Sequence, residues 1–400
     1  MHCSSILTAS SVPVQGSRGN LKNNGWMRGL VFCLSCCVLG AAVTAACGGS
    51  ESAGASAAAP NVSTIQAVTA TSTVAAITTQ EVEPALPKRL GSGEPVTFAF
   101  GGDVMFEEPI RSYLSNPAEV FAPVRKILRR ADVAMVNLET VITNRGTPTA
   151  NKAYLFRAPP SAFKAIKLGG IDVVTVANNH GMDYGAVGME DTLRYAKRAG
   201  VPVVGGGRNE AQAFRAWRTT VNGQRIAIIG ATQVIDEELI SWWEARGAQT
   251  GVASARYDME DRLARQVRRA RATSDTVVVY LHWGSELKGC PTDSQVSLAD
   301  RLVRAGADII VGSHAHILLG GGMHGRAFVD YGLGNFVFYA SGGIAAQTGV
   351  LEVTATGRRI DGYRWQPAQI EGGRPVPVAA SERAARIADW KSLRACTDLR

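Results

Sequence analysis

The chain alternates short runs of apolar residues with longer stretches in which apolar residues recur every three or four positions. The runs predict buried strands and the longer stretches predict amphipathic helices. Strands are predicted at residues 96–100, 133–136, 172–176, 201–204, 226–229, 276–281, 307–311, 327–329 and 334–338, and helices at residues 120–130, 161–168, 188–198, 259–272 and 295–304. Because buried strands and helices alternate, the pattern predicts an α/β fold with a sheet rich in parallel strands.

Two hairpins are predicted from turn residues. Asn222-Gly223 lies within residues 219–232, and Thr356-Gly357 joins apolar stretches at residues 349–353 and 360–365. Asn-Gly is a strong signal for a tight turn between antiparallel strands. We expect the late hairpin to belong to a second sheet stacked on the first.

The first 94 residues have a different pattern and are predicted to lie outside the fold. Residues 30–46 form an apolar run after Arg28 that ends at Cys47. This segment, residues 1–47, resembles a bacterial lipoprotein signal, which implies cleavage before Cys47 and lipidation of that cysteine. An uncleaved anchor helix is the alternative, and either form places the domain on the extracytoplasmic face of the cell membrane. Translation could start at Met1 or at Met27.

Residues 48–94 are dominated by Ser, Ala, Thr, Val and Pro, a composition that cannot form a packed core. They are predicted to be a disordered linker between the membrane and a single domain at residues 95–400. Five of the seven cysteines precede residue 48, which leaves Cys290 and Cys396 in that domain. In an oxidising compartment this pair predicts a disulfide. Metal ligation is the less favoured alternative because no Cys-x-x-Cys spacing occurs.

Charge and motif content argue against binding of nucleic acid or of nucleotides through a P-loop. The formal net charge is +8, but basic residues are spread along predicted helices, for example between Arg262 and Arg271, without interleaved aromatic residues. Such spacing is typical of a solvated helix face. The Gly-rich stretches at residues 205–207 and 320–322 lack the Lys-Ser/Thr that follows a P-loop.

Potential metal ligands follow the predicted strands at the point where each strand ends. They are Asp103, Glu139, Asn179, His180, His282, His314 and His316. Functional side chains of α/β sheets gather at the carboxyl ends of the strands. We also expect His314 and His316 to face one point, because residues i and i+2 of a strand lie on the same side. Carboxylates, imidazoles and an amide oxygen suit one or two divalent Mn, Fe or Zn ions.

Each residue also has a structural explanation of its own. Asp103 could cap a following helix, Asn179 could form a turn, and His282 could be a hydrogen-bonded core histidine. What favours the metal site is the joint occurrence of these residues at successive strand ends.

The order of these motifs resembles the calcineurin-like metallophosphatase superfamily. The fuller match, over nearly all of residues 95–370, is to CapA-type poly-γ-glutamate (capsule) synthesis proteins. It rests on Gly101-Gly102-Asp103-Val104-Met105, Val136-Asn137-Leu138-Glu139, Ala177-Asn178-Asn179-His180-Gly181-Met182-Asp183-Tyr184-Gly185, Gly312-Ser313-His314-Ala315-His316 and Tyr331-Gly332-Leu333-Gly334-Asn335-Phe336. The resemblance implies a four-layer α-β-β-α sandwich.

The resemblance also implies a role for each candidate residue. These are Asp103 and His316 at a first ion, Asn179, His282 and His314 at a second ion, Glu139 as the carboxylate between them, and His180 as acid or transition-state stabiliser near the leaving group. Met105 departs from the superfamily pattern, which usually has histidine there. A thioether is a poor ligand for hard divalent ions, so the first ion would lack one ligand.

Two functions from different classes follow. The first is a metal-dependent hydrolase or transferase acting on an anionic polymer such as poly-γ-glutamate. The second is a non-catalytic polymer-binding or scaffolding component with a degenerate metal site, working with membrane proteins of capsule synthesis. Arg157 could bind anionic groups of the substrate through its guanidinium; a surface salt bridge is the alternative.

Overall fold

The computed structural model describes residues 91–340 and 342–400, all of which belong to one compact unit of the chain, Glu81–Arg400. The predicted signal, most of the predicted linker and Cys47 lie outside the described residues. No helix among the described residues has the length and apolar character needed to cross a bilayer.

The described residues contain eighteen strands. The first nine are β1 (Val96–Val104), β2 (Val133–Leu138), β3 (Val141–Ile142), β4 (Arg157–Ala158), β5 (Val173–Thr175), β6 (Val203–Val204), β7 (Gly206–Gly207), β8 (Trp217–Val221) and β9 (Gln224–Thr232). The others are β10 (Gly251–Val252), β11 (Thr276–His282), β12 (Ile309–Ser313), β13 (Gly321–His324), β14 (Ala327–Asp330), β15 (Asn335–Val337), β16 (Gln347–Thr356), β17 (Arg359–Glu371) and β18 (Arg374–Pro377).

Eight α-helices accompany these strands in the described part of the chain. They are α1 (Arg125–Leu128), α2 (Ser161–Gly169), α3 (Gly185–Ala199), α4 (Glu210–Ala213), α5 (Ile240–Trp243), α6 (Met259–Arg271), α7 (Asp293–Ala305) and α8 (Arg383–Ser392). Helices α2, α3 and α7 end at a glycine with positive φ, the usual way to close a helix. The predicted helix at residues 120–130 is α-helical only in α1.

Two large sheets form the body of the domain. The first has the order β18-β17-β16-β1-β2-β5-β6, with β15 also paired to β1. The second has the order β13-β14-β12-β11-β9-β8. Strands β1, β2, β5 and β6 are parallel in the first sheet, and β9, β11, β12 and β14 are parallel in the second.

The sheets pack face to face because alternate residues of each strand point to opposite sides. Phe98 and Phe100 of β1 share a buried cluster with Val278 and Tyr280 of β11, so this cluster lies between the sheets. Two further clusters lie on the outer faces, one with residues of α2 and α3 and one with residues of α6 and α7. The result is the expected four-layer α-β-β-α sandwich.

The structure differs from the expectation in the position of the late hairpin. Strands β16 and β17 extend the first sheet through antiparallel pairing of β16 with β1. The second sheet is built instead from the parallel strands in the middle of the chain. Local patterns fix strands and turns, but which strand pairs with which depends on tertiary packing, and the sequence pattern does not contain that information.

The C-terminal segment is fastened to the second sheet. Arg400 exchanges two backbone hydrogen bonds with Met323 of β13, at 2.7 and 3.0 Å. The structure pairs Cys396 with Cys290 in a disulfide with Cα atoms 5.8 Å apart. Cys290 lies between β11 and α7, so the disulfide links the C-terminal segment to the loop that follows His282.

Candidate metal centre

Both sheets contribute to a cluster of acidic, amide and imidazole side chains where the carboxyl ends of their parallel strands meet. His282, at the end of β11, joins the two contributions. Its Nε2 lies 3.5 Å from Oε1 of Glu139, and its Nδ1 lies 3.8 Å from Oδ1 of Asp103. Oδ2 of Asp103 lies 3.5 Å from Nδ1 of His316. Residues far apart in the sequence therefore converge on a small volume.

Strand register sets the surroundings of Asp103. In the first sheet Asp103 is paired with Asn137 of β2 on one side and with Asn335 of β15 on the other. Nδ2 of Asn137 donates to Oδ1 of Asp103 at 2.8 Å, and the backbone amide of His314 donates to Oδ2 at 3.2 Å. Asp103 therefore caps no helix; it holds the first sheet's end against the loop after β12.

The two histidines of Gly312-Ser313-His314-Ala315-His316 converge for a reason other than strand alternation. Strand β12 ends at Ser313, and the φ angles of His314 and His316 are +98° and +56°. Non-glycine residues rarely adopt this left-handed region, which costs about 1–3 kcal/mol per residue. The ring centroids of the two histidines lie 5.8 Å apart. The expected convergence is present, but a strained turn produces it.

Within the described part of the chain, three overlapping groups of donor atoms could hold a metal ion. They are Glu139 with His282 and His314, Asp103 with Glu139 and His316, and Glu286 with His314 and His316. Within each group the ligand atoms lie within 4.8 Å of one another. The first two groups contain the residues that the resemblance assigns to the second and the first ion, respectively, with Glu139 common to both.

Buried atoms without partners show that these residues fit a cation. Both carboxylate oxygens of Glu139 and Nδ1 of His314 are buried and have no hydrogen-bond partner. An unpaired buried carboxylate is costly, and a bound divalent cation would compensate for it. Burial raises the pKa of Glu139 well above its usual value, and the neighbouring Asp103 raises it further. The donor set is therefore suited to positive charge.

Burial favours the neutral form of two imidazoles of the centre, those of His282 and His314, which is the form in which histidine binds a metal. Burial lowers the pKa of His314 to about 3 and holds the pKa of His282 well below its usual value. The Nε2 of His282 lies 2.8 Å from Oδ1 of Asn179. These two predicted ligands of the second ion thus already face each other.

His180 has a different environment from the other histidines. Its Nδ1 lies 2.7 Å from Oδ2 of Asp183, and its ring stacks on Phe156 with centroids 3.9 Å apart. Burial lowers its pKa, and the bond to Asp183 opposes this shift. With Nδ1 held by the carboxylate, Nε2 is the nitrogen available for proton exchange in the site.

Lys152 brings a positive charge to the same place. Its Nζ contacts Oδ1 of Asp183 and the carbonyl of Asn179, both at 2.5 Å, and its side chain is only 7% exposed. The ammonium also lies 5.0 Å from the ring centroid of the buried Trp243. Lys152 therefore joins the Asn179-His180 turn to Asp183.

Met105 does not take part in the centre. It is fully buried in the cluster on the outer face of the first sheet, and its Sδ accepts from the amide of Glu107 at 3.2 Å. The position where the superfamily usually has histidine is therefore occupied by a core residue.

Comparison with known proteins identifies the family to which the chain belongs. The profile of the family described as "Bacterial capsule synthesis protein PGA_cap" matches residues 97–340, which include every residue of the centre. The chain belongs to this family.

Two curated relatives of this PGA_cap chain have similar length. The capsule biosynthesis protein CapA of Bacillus anthracis is 30% identical over 323 residues, covering 78% of this chain and 77% of the relative. The PGA biosynthesis protein CapA of Bacillus subtilis is 29% identical over 291 residues, covering 72% and 75%. A solved structure of the sulfate thiohydrolase SoxB from Thermus thermophilus has a TM-score of 0.40 and 15% identity, covering 75% of this chain and 60% of that one. A score at this level adds nothing to the assignment.

A cavity of about 450 Å³ opens onto the centre of this PGA_cap domain. Asn179, His180 and His316 line it from below, and Tyr154, Phe156, Phe338 and Tyr339 contribute aromatic walls. Arg157 is not among the described residues lining the cavity. Its guanidinium carbon lies 4.7 Å from the ring centroid of Tyr184.

Several residues of the site carried no clear signal in the sequence. Asn137 and Asp183 lie inside two of the sequence motifs, but no role was predicted for them. Lys152 lies in a loop for which no function was predicted. Asn335 follows a glycine at the start of a short strand, and only its pairing with Asp103 reveals its position. Asn137, Lys152 and Asn335 act through contacts distant in sequence, so their recognition requires the fold, whereas Asp183 contacts His180 only three positions away.

Proposed function

We propose that this chain is a metal-dependent hydrolase or transferase acting outside the cytoplasm on an anionic envelope polymer, such as poly-γ-glutamate, or on its synthetic intermediate. The observation that carries the proposal is the fully buried Glu139 carboxylate, unpaired and surrounded by imidazoles and Asp103. Membership in a capsule synthesis family supports the substrate class. The two Bacillus relatives are named as proteins of capsule and PGA biosynthesis, which supports the same class.

The proposed centre uses Asp103, Glu139 and His316 at one position and Glu139, Asn179, His282 and His314 at another. The donor types favour Mn, Fe or Zn. When bound, such ions supply activated water and neutralise negative charge on the reacting group.

The protein's own residues perform the remaining tasks. His180, held at Nδ1 by Asp183, exchanges a proton with the leaving group through Nε2. Lys152 holds the Asp183 carboxylate in place through its contact with Oδ1, and Phe156 fixes the plane of the imidazole. The aromatic side chains around the cavity limit access of bulk water.

Charge explains why an anionic substrate would need the ion. The ionisable groups lining the cavity include Lys152 with Asp236 and Glu286, and Asp103 and Glu139 lie beneath it. Lys152 is already paired with Asp183. Without a cation this surface repels polyanions, and each bound divalent ion would cancel two of its negative charges and reduce that repulsion.

The test uses the purified full chain reconstituted with Mn²⁺, Zn²⁺ or Fe²⁺. We expect metal-dependent cleavage of a generic phosphodiester or of γ-linked polyglutamate, lost on His282→Ala. His324→Ala is the matched control, since His324 contacts Asp398 at 3.0 Å, outside the centre. A reconstituted protein that binds no metal would overturn the enzyme proposal.

A non-catalytic polymer-binding or scaffolding component is the second candidate, and the core position of Met105 favours it. This protein would bind metal and polymer without turnover. Binding of polyglutamate by the reconstituted chain, with no cleavage of any tested ester or amide, would support this candidate over the first.

The location is part of the proposal. We infer attachment to the extracytoplasmic face of the cell membrane through lipidation of Cys47, close to membrane proteins of capsule synthesis. Membrane fractionation tests it: the full chain should sediment with membranes, and Cys47→Ser should release it to the soluble fraction if lipidation is the anchor.

A further inference from the structure

The ion position around Asp103 lacks one ligand. Met105 stands where a histidine ligand was expected, and its thioether is a poor ligand for hard divalent ions. Met105 is fully buried, and its sulfur already accepts the amide of Glu107. Asp103, Glu139 and His316 alone leave a hard divalent ion with few protein ligands on the side facing the cavity.

Glu286 lies on that side. It lines the cavity together with His316, and its carboxylate forms a donor group with His314 and His316 in which the ligand atoms are within 4.8 Å of one another. This group shares one histidine with each of the two groups that contain Glu139.

Backbone hydrogen bonds hold the Glu286 loop against the histidine turn. The amide of Trp283 donates to the carbonyl of Ser313 at 3.0 Å, and the amide of Leu287 donates to the carbonyl of Ala315 at 2.9 Å. Glu286 lies between these two contacts. Its position relative to His314 and His316 is therefore fixed by the main chain.

The far end of the loop is also fastened. Cys290 is bonded to Cys396, and a capping box between Thr292 and Gln295 begins helix α7. A loop fixed at both ends presents its side chain with little loss of conformational entropy on binding.

We propose that Glu286 is a metal ligand of this centre and supplies the carboxylate that compensates for the ligand missing at Met105. The proposal rests on the metal centre of the proposed function. A carboxylate in place of an imidazole makes the site harder and shifts its preference towards Mn²⁺.

The experiment measures Mn²⁺ affinity and stoichiometry by titration calorimetry on the full-length protein. Glu286→Gln should weaken Mn²⁺ binding at least about tenfold or remove one ion, since even residues behind the ligands change affinity by this factor. Glu190→Gln is the control: it makes the same change on an exposed position of α3 and should leave affinity unchanged.

Glu139→Gln separates the two proposals. Wild-type affinity in Glu286→Gln, with metal lost in Glu139→Gln, would overturn the role of Glu286 and leave the centre intact. A wild-type protein that binds no Mn²⁺ would overturn both. Retention of the wild-type circular dichroism spectrum and unfolding midpoint in Glu286→Gln excludes misfolding as the cause of weaker binding.

Discussion

The side-chain oxygen of Asn335 fixes which nitrogen of His316 carries the proton. Nδ2 of Asn335 donates to the carbonyls of His316 and Ala345, at 3.1 and 3.0 Å, so its oxygen must face the ring. That oxygen lies 2.8 Å from Nδ1 of His316, which must therefore donate. Nε2 is left with its lone pair free for a metal.

Replacement of Asn335 should therefore weaken metal binding without removing a ligand. Asn335→Leu should lower Mn²⁺ affinity by about 10–100-fold, because the tautomer and orientation of His316 are no longer held. Asn335→Asp keeps the acceptor and should bind more tightly than Asn335→Leu. Equal affinities of the two variants, measured by calorimetry, would contradict the tautomer argument.

Replacement of Glu139 should change stability in opposite directions with and without metal. In metal-free protein the buried carboxylate is unpaired, so Glu139→Gln should raise the free energy of unfolding by about 1–4 kcal/mol. In saturating Mn²⁺ the wild type is stabilised by metal binding that the variant lacks. The wild type should then have the higher free energy of unfolding. Urea denaturation with EDTA and with Mn²⁺ measures both values.

His324→Ala is the control for this reversal. It should change stability by the same amount under both conditions, because His324 lies outside the centre. A Glu139→Gln variant that is less stable than wild type in EDTA would show that its carboxylate has a partner in the metal-free protein.

Lys152 should be important for stability as well as for the site. Lys152→Met removes one partner of a buried ion pair and should destabilise the fold by about 3 kcal/mol. Lys164→Met, at an exposed position of α2, should change the unfolding free energy by less than about 0.5 kcal/mol. Similar small effects of both variants in urea denaturation would contradict the importance of the Lys152–Asp183 contact.

Asp330 should make stability depend on pH. Burial raises the pKa of Asp330 from its ordinary value of 3.8 to about 7, and the hydrogen bond from the Gly332 amide opposes the shift. Between these two pH values the folded state holds a proton that the unfolded state releases, so stability falls as pH rises from about 4 to 7. The full effect is of the order of 4 kcal/mol.

Asp330→Asn removes this dependence. The free energy of unfolding of the variant should equal that of the wild type near pH 4 and exceed it increasingly up to about pH 7. Above that pH the difference should stay constant. Unfolding free energies at several pH values give the difference curve. A flat difference curve would place the carboxyl pKa near its ordinary value.

The disulfide should stabilise both the fold and the Glu286 loop. It joins residues 106 positions apart, and the joint change Cys290→Ser and Cys396→Ser should cost about 2–5 kcal/mol of stability. We also expect weaker Mn²⁺ binding, because the loop between β11 and α7 loses its anchor. Unchanged Mn²⁺ affinity in this variant would mean that the backbone contacts of Trp283 and Leu287 suffice.

Much of the fold is contained in local patterns. Residues 276–281 begin with four β-branched residues and become part of β11, and Gly200 and Gly306, which follow two of the predicted helices, end α3 and α7. Sheet pairing could not be predicted from local patterns. Strand β16 pairs with β1, more than 200 residues away in the chain, because their faces complete one core.

The same distinction between local pattern and tertiary pairing applies to the candidate site. Ligand types at strand ends were visible in the sequence, so Asp103, Glu139 and His282 could be named. The residues that orient those ligands could not be named, because Asn335 comes close to His316 only through the pairing of β15 with β1. The left-handed conformation of His314 was also not predictable, because only a small minority of non-glycine residues adopt positive φ and the local sequence does not identify which ones do.

The dispersal of the centre along the chain has a consequence for the order of folding. Asp103 accepts the amide of His314, 211 residues later, and neither sheet alone contains a full donor group around Glu139. Both donor groups that contain Glu139 are therefore incomplete until the two sheets dock, and only the group of Glu286, His314 and His316 lies within the second sheet's own segments. In the proposed centre, the complete set of ligands would thus form late in folding, in the compartment where the two sheets dock.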